Sequence, residues 1–428
     1  MRYWQLGLIN RRENFCYYFE YDPSQGGIPV AKVLETPSQF YYRDWRDGWE
    51  HWYCEVKTSD VFKEFDLTEY IPEDVFQKIL DPDSNFVLHI CNSHEGFLDM
   101  PREVYTHVVE KYNIPAHKII LSNGAVDLVI EADRVCDERN SPTKFKVELV
   151  LDFERGQLDD QNMPGKKVVK YETLVPENIR KSYLCFNRRW RFHRPLMISA
   201  LYGKGILDKG YVSFGPSDCG RNWGEHVPEY QADGITKNEN PNEGGVFGWI
   251  RYFCDQNKDL YDLIIPHAEH LTKLEPMYLD TDDLVTNRAR FTWRPGWLYA
   301  QSLVSVVNET NYFKQWHADD TKESSIFLSE KIFKPIAFGH PFIVASTPKF
   351  LNALKSIGYK TFSPLIDESY DNEQCDYKRM VMIVNEIERI CNFTQEEIVD
   401  FCNKARPIVE HNKQVLESRK SFNYKMNY

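Results

Sequence analysis

Short apolar runs that alternate with helix-length polar stretches are the feature that most constrains this fold. Such runs predict strands buried in a sheet, and the polar stretches between them predict connecting helices. The alternation predicts parallel β-sheets with helices on both faces, which is an α/β fold. The predicted strands are Phe86–Cys91, Lys118–Ser122, Phe145–Phe153, Tyr183–Phe186, Gly210–Phe214, Leu303–Val307 and Pro341–Ala345.

Helical spacing and capping residues predict the connecting helices. Residues 1 to 55 are rich in aromatic residues and are predicted to be irregular, and residues 216 to 295 are predicted to contain long loops. The predicted helices are Pro101–Tyr112, Arg191–Tyr202, one capped by Ser324 or Ser325 that runs to about Phe338, one capped by Asp371 that runs from about Glu373 to Cys391, and one or two from Thr394 onward.

A chain of 428 residues is too long for one ordinary core, so two domains are expected. The polar stretch Arg155–Lys167 lies near the predicted boundary. We therefore expect two consecutive Rossmann-like, doubly wound domains that face a central cleft, followed by a helical tail. The predicted ranges are 1–175, 176–395 and 396–428, with the tail packing back toward the first domain.

Charge and cysteine usage narrow the class of protein. The net charge of −12 argues against broad adhesion to nucleic acid or anionic membranes. The ten cysteines are scattered without zinc-like spacing, which predicts reduced thiols. We find no signal peptide and no apolar stretch long enough to span a membrane, so a cytoplasmic location is expected.

A basic cluster follows the predicted strand Tyr183–Phe186. Asn187, Arg188 and Arg189 fall in the turn before a helix, and His193 and Arg194 fall on its first turns. Helix N-termini and guanidinium groups both favour phosphate. The cluster predicts a phosphate site, and the alternative is a solvated basic face.

Two further polar groups follow strand ends or precede a strand. Asn308, Glu309 and Thr310 come directly after Leu303–Val307, where doubly wound sheets place ligands, although an ordinary polar turn is an equal alternative. Three more residues, Ser329, Glu330 and Lys331, lie on the predicted helix that leads into Pro341–Ala345. A carboxylate there can accept hydrogen bonds from two ribose hydroxyls, and an ammonium can neutralise a diphosphate.

Lys334 and Asp367 complete the set of predicted binding residues. The plainer interpretation of Lys334 is a weak surface pair with Glu330 one turn earlier. The acidic run at 366–371 resembles a metal site only superficially, because adjacent acids point in different directions and no partner motif supplies other ligands. Asp367 or Glu368 is expected to touch a ligand, and no metal is expected.

From about Tyr183 to Asp371 the chain resembles GT-B glycosyltransferases of tailed bacteriophages and large viruses, and more distantly the family 10 fucosyltransferases. In that family a strand ends in Asn and Arg, a later strand ends in a Glu/Asn motif, and a Thr-Glu-Lys helix grips the nucleotide diphosphate. The matching positions are Asn187 with Arg188 or Arg189, Asn308 with Glu309, and the segment Ser329 to Lys331. Ser replaces the usual Thr, and the order at 308 and 309 is reversed.

The resemblance implies a sugar transferase that uses a UDP- or GDP-linked sugar, with inversion. Because Arg188, Arg189 and Lys331 can stabilise the departing diphosphate electrostatically, no metal or other cofactor is expected. Lys331 and the arginines would bind the diphosphate and Glu330 the ribose. The catalytic base is expected to be Glu95, with His94 and Asp99 as alternatives, at the end of the strand Phe86–Cys91. The plainer alternative is a strand-to-helix loop without a catalytic role.

The acceptor and two rival functions stay open at this point. A glycan is the expected acceptor. If the chain is encoded by a phage, a hydroxymethylated DNA base is the alternative, because the Arg- and Trp-rich segment at 43–53 can stack on bases. The rivals are a non-catalytic nucleotide- or carbohydrate-binding protein of the same fold and a phosphorylase or epimerase of similar architecture.

Overall fold

The chain divides into two compact units, residues 1–152 with 421–428 and residues 153–420. The predicted assignment of 1–175 and 176–395 to separate roles stays a prediction, and its boundary segment Arg155–Lys167 lies outside the described residues. The computed structural model describes residues 4–10, 15–21, 30–34, 50–55, 66–69, 71, 73–84, 86–92, 98–149, 171–187, 193–214, 258, 260–264, 296–313 and 325–418.

The described strands of the first unit form one sheet of mixed direction, in the order β3-β2-β1-β4-β5-β6-β7. β1 to β3 are antiparallel and β4 to β7 are parallel. The prediction that residues 1 to 55 are irregular was therefore wrong. The strands are β1 Trp4–Asn10, β2 Phe15–Tyr21, β3 Val30–Leu34, β4 Glu50–Glu55, β5 Phe86–Asn92, β6 Ile119–Asn123 and β7 Lys146–Leu149.

The helices of this unit that the structure describes pack on one face of the sheet. They are α1 Glu73–Leu80, α2 Met100–Val104, which continues as a π-helical turn through Glu110, and α3 Leu128–Glu138. Leu88, Leu121 and Val135 share one core with them. Because β4 to β7 are adjacent in chain order, right-handed crossovers put these helices on the same side. The double winding predicted for this part of the chain stays a prediction.

The second unit contains a parallel sheet in the order β9-β8-β10-β11. Every residue of β10 is buried, as expected of a strand covered on both faces. The chain moves from β8 outward to β9, and then returns across β8 to β10 and β11, so the direction of winding reverses between β8 and β10. The strands are β8 Lys181–Asn187, β9 Gly210–Phe214, β10 Ser302–Asn308 and β11 Phe342–Ala345.

Helices cover both faces of this second sheet, as predicted for a doubly wound unit. Leu184 of β8 packs with α5 and α6, whereas α8 contacts α4, β8 and β11. The described helices are α4 His193–Gly203, α5 Gly296–Ala300, α6 Glu330–Phe338, α7 Phe350–Ser356, α8 Asp376–Cys391 and α9 Gln395–Ser418.

The start of α6 lies later than predicted. Ser329 is the N-cap, and its hydroxyl accepts the Lys331 N–H at 3.2 Å. Ser325 instead accepts a hydrogen bond from Asn311 Nδ2 at 3.0 Å. The helix ends at Gly339, whose φ of 68° is the left-handed conformation that glycine adopts most easily at a helix end.

Helix α9 is one continuous helix that packs on α6. Thr394 and Glu397 form a reciprocal capping box, with N–H to side-chain distances of 3.2 and 2.7 Å. The buried Asn412 binds both backbone groups of Lys360: its Oδ1 accepts the N–H at 2.8 Å, and its Nδ2 donates to the carbonyl at 2.9 Å. These contacts tie α9 to the second unit; its predicted packing toward the first stays a prediction.

Candidate functional site

Two asparagine side chains meet where the carboxyl ends of β8 and β10 lie side by side. Asn187 ends β8, Asn308 ends β10, and both are buried. Asn308 Nδ2 donates to Asn187 Oδ1 at 2.9 Å, and both amides donate to Cys185 Sγ at 3.3 and 3.4 Å. Because the winding reverses between these strands, the crevice outside their ends is where open α/β sheets bind ligands.

The two basic residues on the first turn of α4 face the protein interior. Arg194 is buried, and its Nη2 donates to the backbone oxygen of Asn308 at 3.3 Å. The buried His193 ring stacks on Tyr312, with ring centroids 5.2 Å apart. The Arg379 guanidinium lies 4.6 Å from the centre of the same Tyr312 ring. These contacts fix the strand end and the loop after it, and they differ from the solvated basic face considered above.

The Glu309 carboxylate joins the end of β10 to the first turn of α6. Its Oε1 accepts the Ile332 N–H at 3.2 Å, and its Oε2 accepts the Thr310 N–H at 3.1 Å and the Ser329 hydroxyl at 2.5 Å. Burial raises the pKa of Glu309, and the Lys331 ammonium and these hydrogen bonds oppose the rise. Both oxygens serve the protein, so Glu309 holds α6 in place.

Glu330 and Lys331 form a partly exposed ion pair at the N-terminus of α6. Lys331 Nζ lies 2.9 Å from Glu330 Oε1, 3.1 Å from Thr310 Oγ1 and 3.1 Å from Ser329 Oγ. The two side chains are 29% and 25% exposed. Burial raises the pKa of Glu330, but the ammonium groups of Lys331 and Lys334 outweigh it and bring the pKa to about 2. An ionised carboxylate and a cation are thus both within reach of a ligand.

Lys334 and Asp367 differ in their relation to this pair. Lys334 is half-buried one turn after Glu330, and its positive charge lowers the pKa of Glu330. This agrees with the interaction expected of residues four positions apart on a helix. Asp367 is exposed, and its Oδ1 accepts the Ser369 N–H at 3.0 Å within a tight turn. None of the contacts described for Asp367 joins it to the Glu330–Lys331 pair.

Carboxylates of the acidic run at 366–371 cap backbone groups. Asp371 accepts the N–H groups of Leu351 and Asn352 at 2.9 and 3.3 Å, so it caps α7. The prediction that it caps the helix ending at Cys391 was wrong, because α7 was not foreseen. Glu368 accepts the Phe362 N–H at 2.6 Å. Burial raises the pKa of both acids.

The described ranges contain no group of three or more His, Cys, Asp or Glu side chains that could hold a metal ion. Metal independence stays a prediction. Within the same ranges, no helix has both the length and the apolar character needed to cross a membrane.

Four of the predicted site residues lie outside the described residues: Arg188, Arg189, His94 and Glu95. Asp99 is described and half-buried, and it occupies the N-cap position of α2 without a side-chain cap bond. The roles predicted for these residues stay predictions.

Thr310, which sequence reasoning grouped with Asn308 and Glu309, accepts a hydrogen bond from Lys331. Sequence reasoning missed one member of the site. Cys185 lies beneath the paired asparagines, and no local signal distinguishes it from an ordinary core thiol. It does lie two residues before Asn187, on the same face of β8.

Comparisons with known proteins add little to this geometry. No family model matches the chain, and no curated protein matches its sequence. Among solved structures, the chain is similar to a UDP-forming α,α-trehalose-phosphate synthase from Burkholderia xenovorans, with a TM-score of 0.35 and 10% identity over 94% of this chain and 90% of that chain. A likeness at that score carries no argument, so the α/β assignment rests on strand order and register.

Proposed function

We propose that this protein is a glycosyltransferase that moves a sugar from a UDP- or GDP-linked donor to an acceptor hydroxyl. The observation that carries the proposal is the partly exposed Glu330–Lys331 pair, which lies at a helix N-terminus connected to the switch-point end of β10. Lys331 would bind the diphosphate, and the ionised Glu330 would accept the ribose hydroxyls. Both residues are those that the resemblance to GT-B glycosyltransferases implies.

Donor binding would proceed by an exchange of partners. The Lys331 ammonium has three hydrogens, and each has an acceptor in Thr310, Ser329 or Glu330. A phosphate oxygen must therefore replace one of these acceptors. Glu330 is the acceptor to be replaced, because its carboxylate can accept hydrogen bonds from the ribose hydroxyls instead. When the ribose hydroxyls donate to Glu330, Lys331 turns to the diphosphate, so both charges keep partners.

The first unit would bind the acceptor, as the resemblance to GT-B glycosyltransferases implies. Arg188, Arg189 and Lys331 would stabilise the departing diphosphate electrostatically, in place of a metal ion. Glu95 is the proposed base, with His94 and Asp99 as alternatives, and inversion is proposed on the family resemblance. The proposed acceptor is a glycan hydroxyl, and hydroxymethylated duplex DNA is the alternative to be assayed.

Calorimetry with UDP and GDP tests the donor site. Lys331→Ala should weaken binding of the preferred nucleotide by about 1–3 kcal/mol, because a charged hydrogen bond is lost. Lys404→Ala, on the exposed face of α9, is the matched control and should leave affinity unchanged. Equal affinity of Lys331→Ala and wild type would contradict the assignment.

A transfer assay tests the proposed chemistry separately. Glu95→Gln should abolish sugar transfer while UDP or GDP still binds, and EDTA should leave wild-type transfer intact. Binding of a nucleotide sugar without turnover on glycan or modified DNA would favour the non-catalytic alternative.

A further inference from the structure

The amide of Asn308 is held in one orientation by buried neighbours. Both of its Nδ2 hydrogens have acceptors, one in Cys185 Sγ and one in Asn187 Oδ1. Its Oδ1 therefore points away from both of these residues. That oxygen is buried and has no hydrogen-bond partner in the part of the chain that the structure describes. A buried acceptor without a donor costs free energy, so its retention at a strand end at the switch point indicates a ligand group that completes it.

The orientation of Asn308 depends in turn on Cys185. The sulfur accepts from the amides of both asparagines, and because Asn187 Nδ2 donates to it, Asn187 Oδ1 is left facing Asn308. Burial raises the pKa of the Cys185 thiol to about 11, which keeps it neutral and able to accept both bonds at neutral pH. The sulfur thus fixes the orientation of the Asn187 amide, and the Asn187 amide fixes the orientation of the Asn308 amide.

We propose that Cys185 is a positioning residue that fixes the Asn308 carbonyl oxygen as an acceptor for a hydroxyl or N–H group of the substrate, and so excludes phosphate oxygens from this position. This proposal rests on the proposed function and deepens it. A phosphate oxygen has only lone pairs to offer and would meet another lone pair. Lys331 and Asn308 would therefore bind different parts of the nucleotide sugar. Lys331 would bind the anionic diphosphate, and Asn308 would accept a hydrogen bond from a neutral hydroxyl or N–H group.

Removing the sulfur acceptor should invert this preference. In Cys185→Val the side chain stays apolar and of similar size, but Asn187 is free to turn its Nδ2 toward Asn308. Asn308 can then turn in response and present its Nδ2 in place of its Oδ1. A hydroxyl ligand loses its acceptor, whereas an anion does not. Cys185→Ser keeps an acceptor at the same position and should restore the original orientation.

The test measures dissociation constants for UDP, UDP-glucose, GDP, GDP-mannose and inorganic pyrophosphate with wild type, Cys185→Val and Cys185→Ser. Cys185→Val should weaken the preferred nucleotide sugar about tenfold and leave pyrophosphate within about twofold, and Cys185→Ser should bind like wild type. If the free nucleotide already binds more weakly to Cys185→Val, the group that donates to Asn308 belongs to the nucleoside. If only the nucleotide sugar binds more weakly, that group belongs to the sugar. Cys402→Val, at another buried thiol of the same unit, is the control and should change nothing.

Several outcomes overturn the proposal. Unchanged nucleotide-sugar affinity in Cys185→Val, equal weakening of pyrophosphate, or failure of Cys185→Ser to restore binding would each do so. If no probe nucleotide or nucleotide sugar binds to wild type, the proposed function is overturned and this inference with it. If Cys185→Val does not fold, Asn308→Leu removes the acceptor directly and must show the same contrast between nucleotide sugar and pyrophosphate.

Discussion

Replacing Glu330 by glutamine should remove a specific part of the acid sensitivity of this protein. The pKa of Glu330 lies at about 2, below its ordinary value of 4.5. Because the pKa is lower in the folded protein than in the unfolded chain, the ionised carboxylate stabilises the folded state above pH 4.5. That stabilisation is lost as the pH falls through about 2.

The size of this effect follows from the pKa and the exposure of the side chain. One pKa unit corresponds to about 1.4 kcal/mol, so the full difference amounts to about 3 kcal/mol. Because Glu330 is 29% exposed, solvent screens part of this interaction, and we expect about 1–2 kcal/mol to remain.

Urea unfolding as a function of pH measures this contribution. Between about pH 5 and pH 2, wild type should lose about 1–2 kcal/mol more free energy of unfolding than Glu330→Gln does. Glu410→Gln, at an exposed position of α9, should run parallel to wild type. In Lys331→Met, loss of the neighbouring ammonium should raise the pKa of Glu330, which carboxyl NMR titration would detect. Parallel curves for wild type and Glu330→Gln would refute the reasoning.

Two predictions concern stability away from the ion pair. Asn412→Ala should lower the free energy of unfolding measured in urea by about 1–3 kcal/mol, because both backbone groups of Lys360 lose a partner. Asn392→Ala, at an exposed position, should lower it much less. Equal losses in the two variants would show that the hydrogen bonds of Asn412 to Lys360 do not stabilise the fold. Arg379→Lys should cost about 2–4 kcal/mol by thermal unfolding, since an ammonium cannot reach the carbonyls that the guanidinium bonds at Ser346 and Tyr312. Retention of the wild-type melting temperature by Arg379→Lys would show that these bonds contribute little.

The central parallel strands could be predicted from the sequence almost to the residue. The run Leu303–Val307 corresponds to β10, which spans Ser302–Asn308, because a strand buried on both faces must be apolar throughout. The antiparallel strands of the first unit escaped prediction for the converse reason. β2 mixes cysteine, glutamate and aromatic residues, and only its pairing with β1 and β3 makes it a strand.

The site could be predicted in part. Asn308 and Asn187 meet because parallel strands end at a common edge, which is a rule that sequence order alone can use. The separate duties of Glu309 and Glu330 could not be foreseen, because they depend on where α6 begins relative to the end of β10. The role of Asp371 could not be predicted for a similar reason. It caps α7, which lies about 20 residues earlier in the chain, and the sequence around Asp371 does not indicate that helix.

The packing of α9 on α6 has a consequence for synthesis of the chain. During translation the N-terminal part of a chain emerges from the ribosome first, and domains fold as their residues emerge. The helix that carries Glu330 and Lys331 therefore leaves the exit tunnel well before Asn412 and Leu416, which belong to the helix behind it. Nascent chains halted within this interval would contain both charged residues before the helix that packs on α6 has emerged.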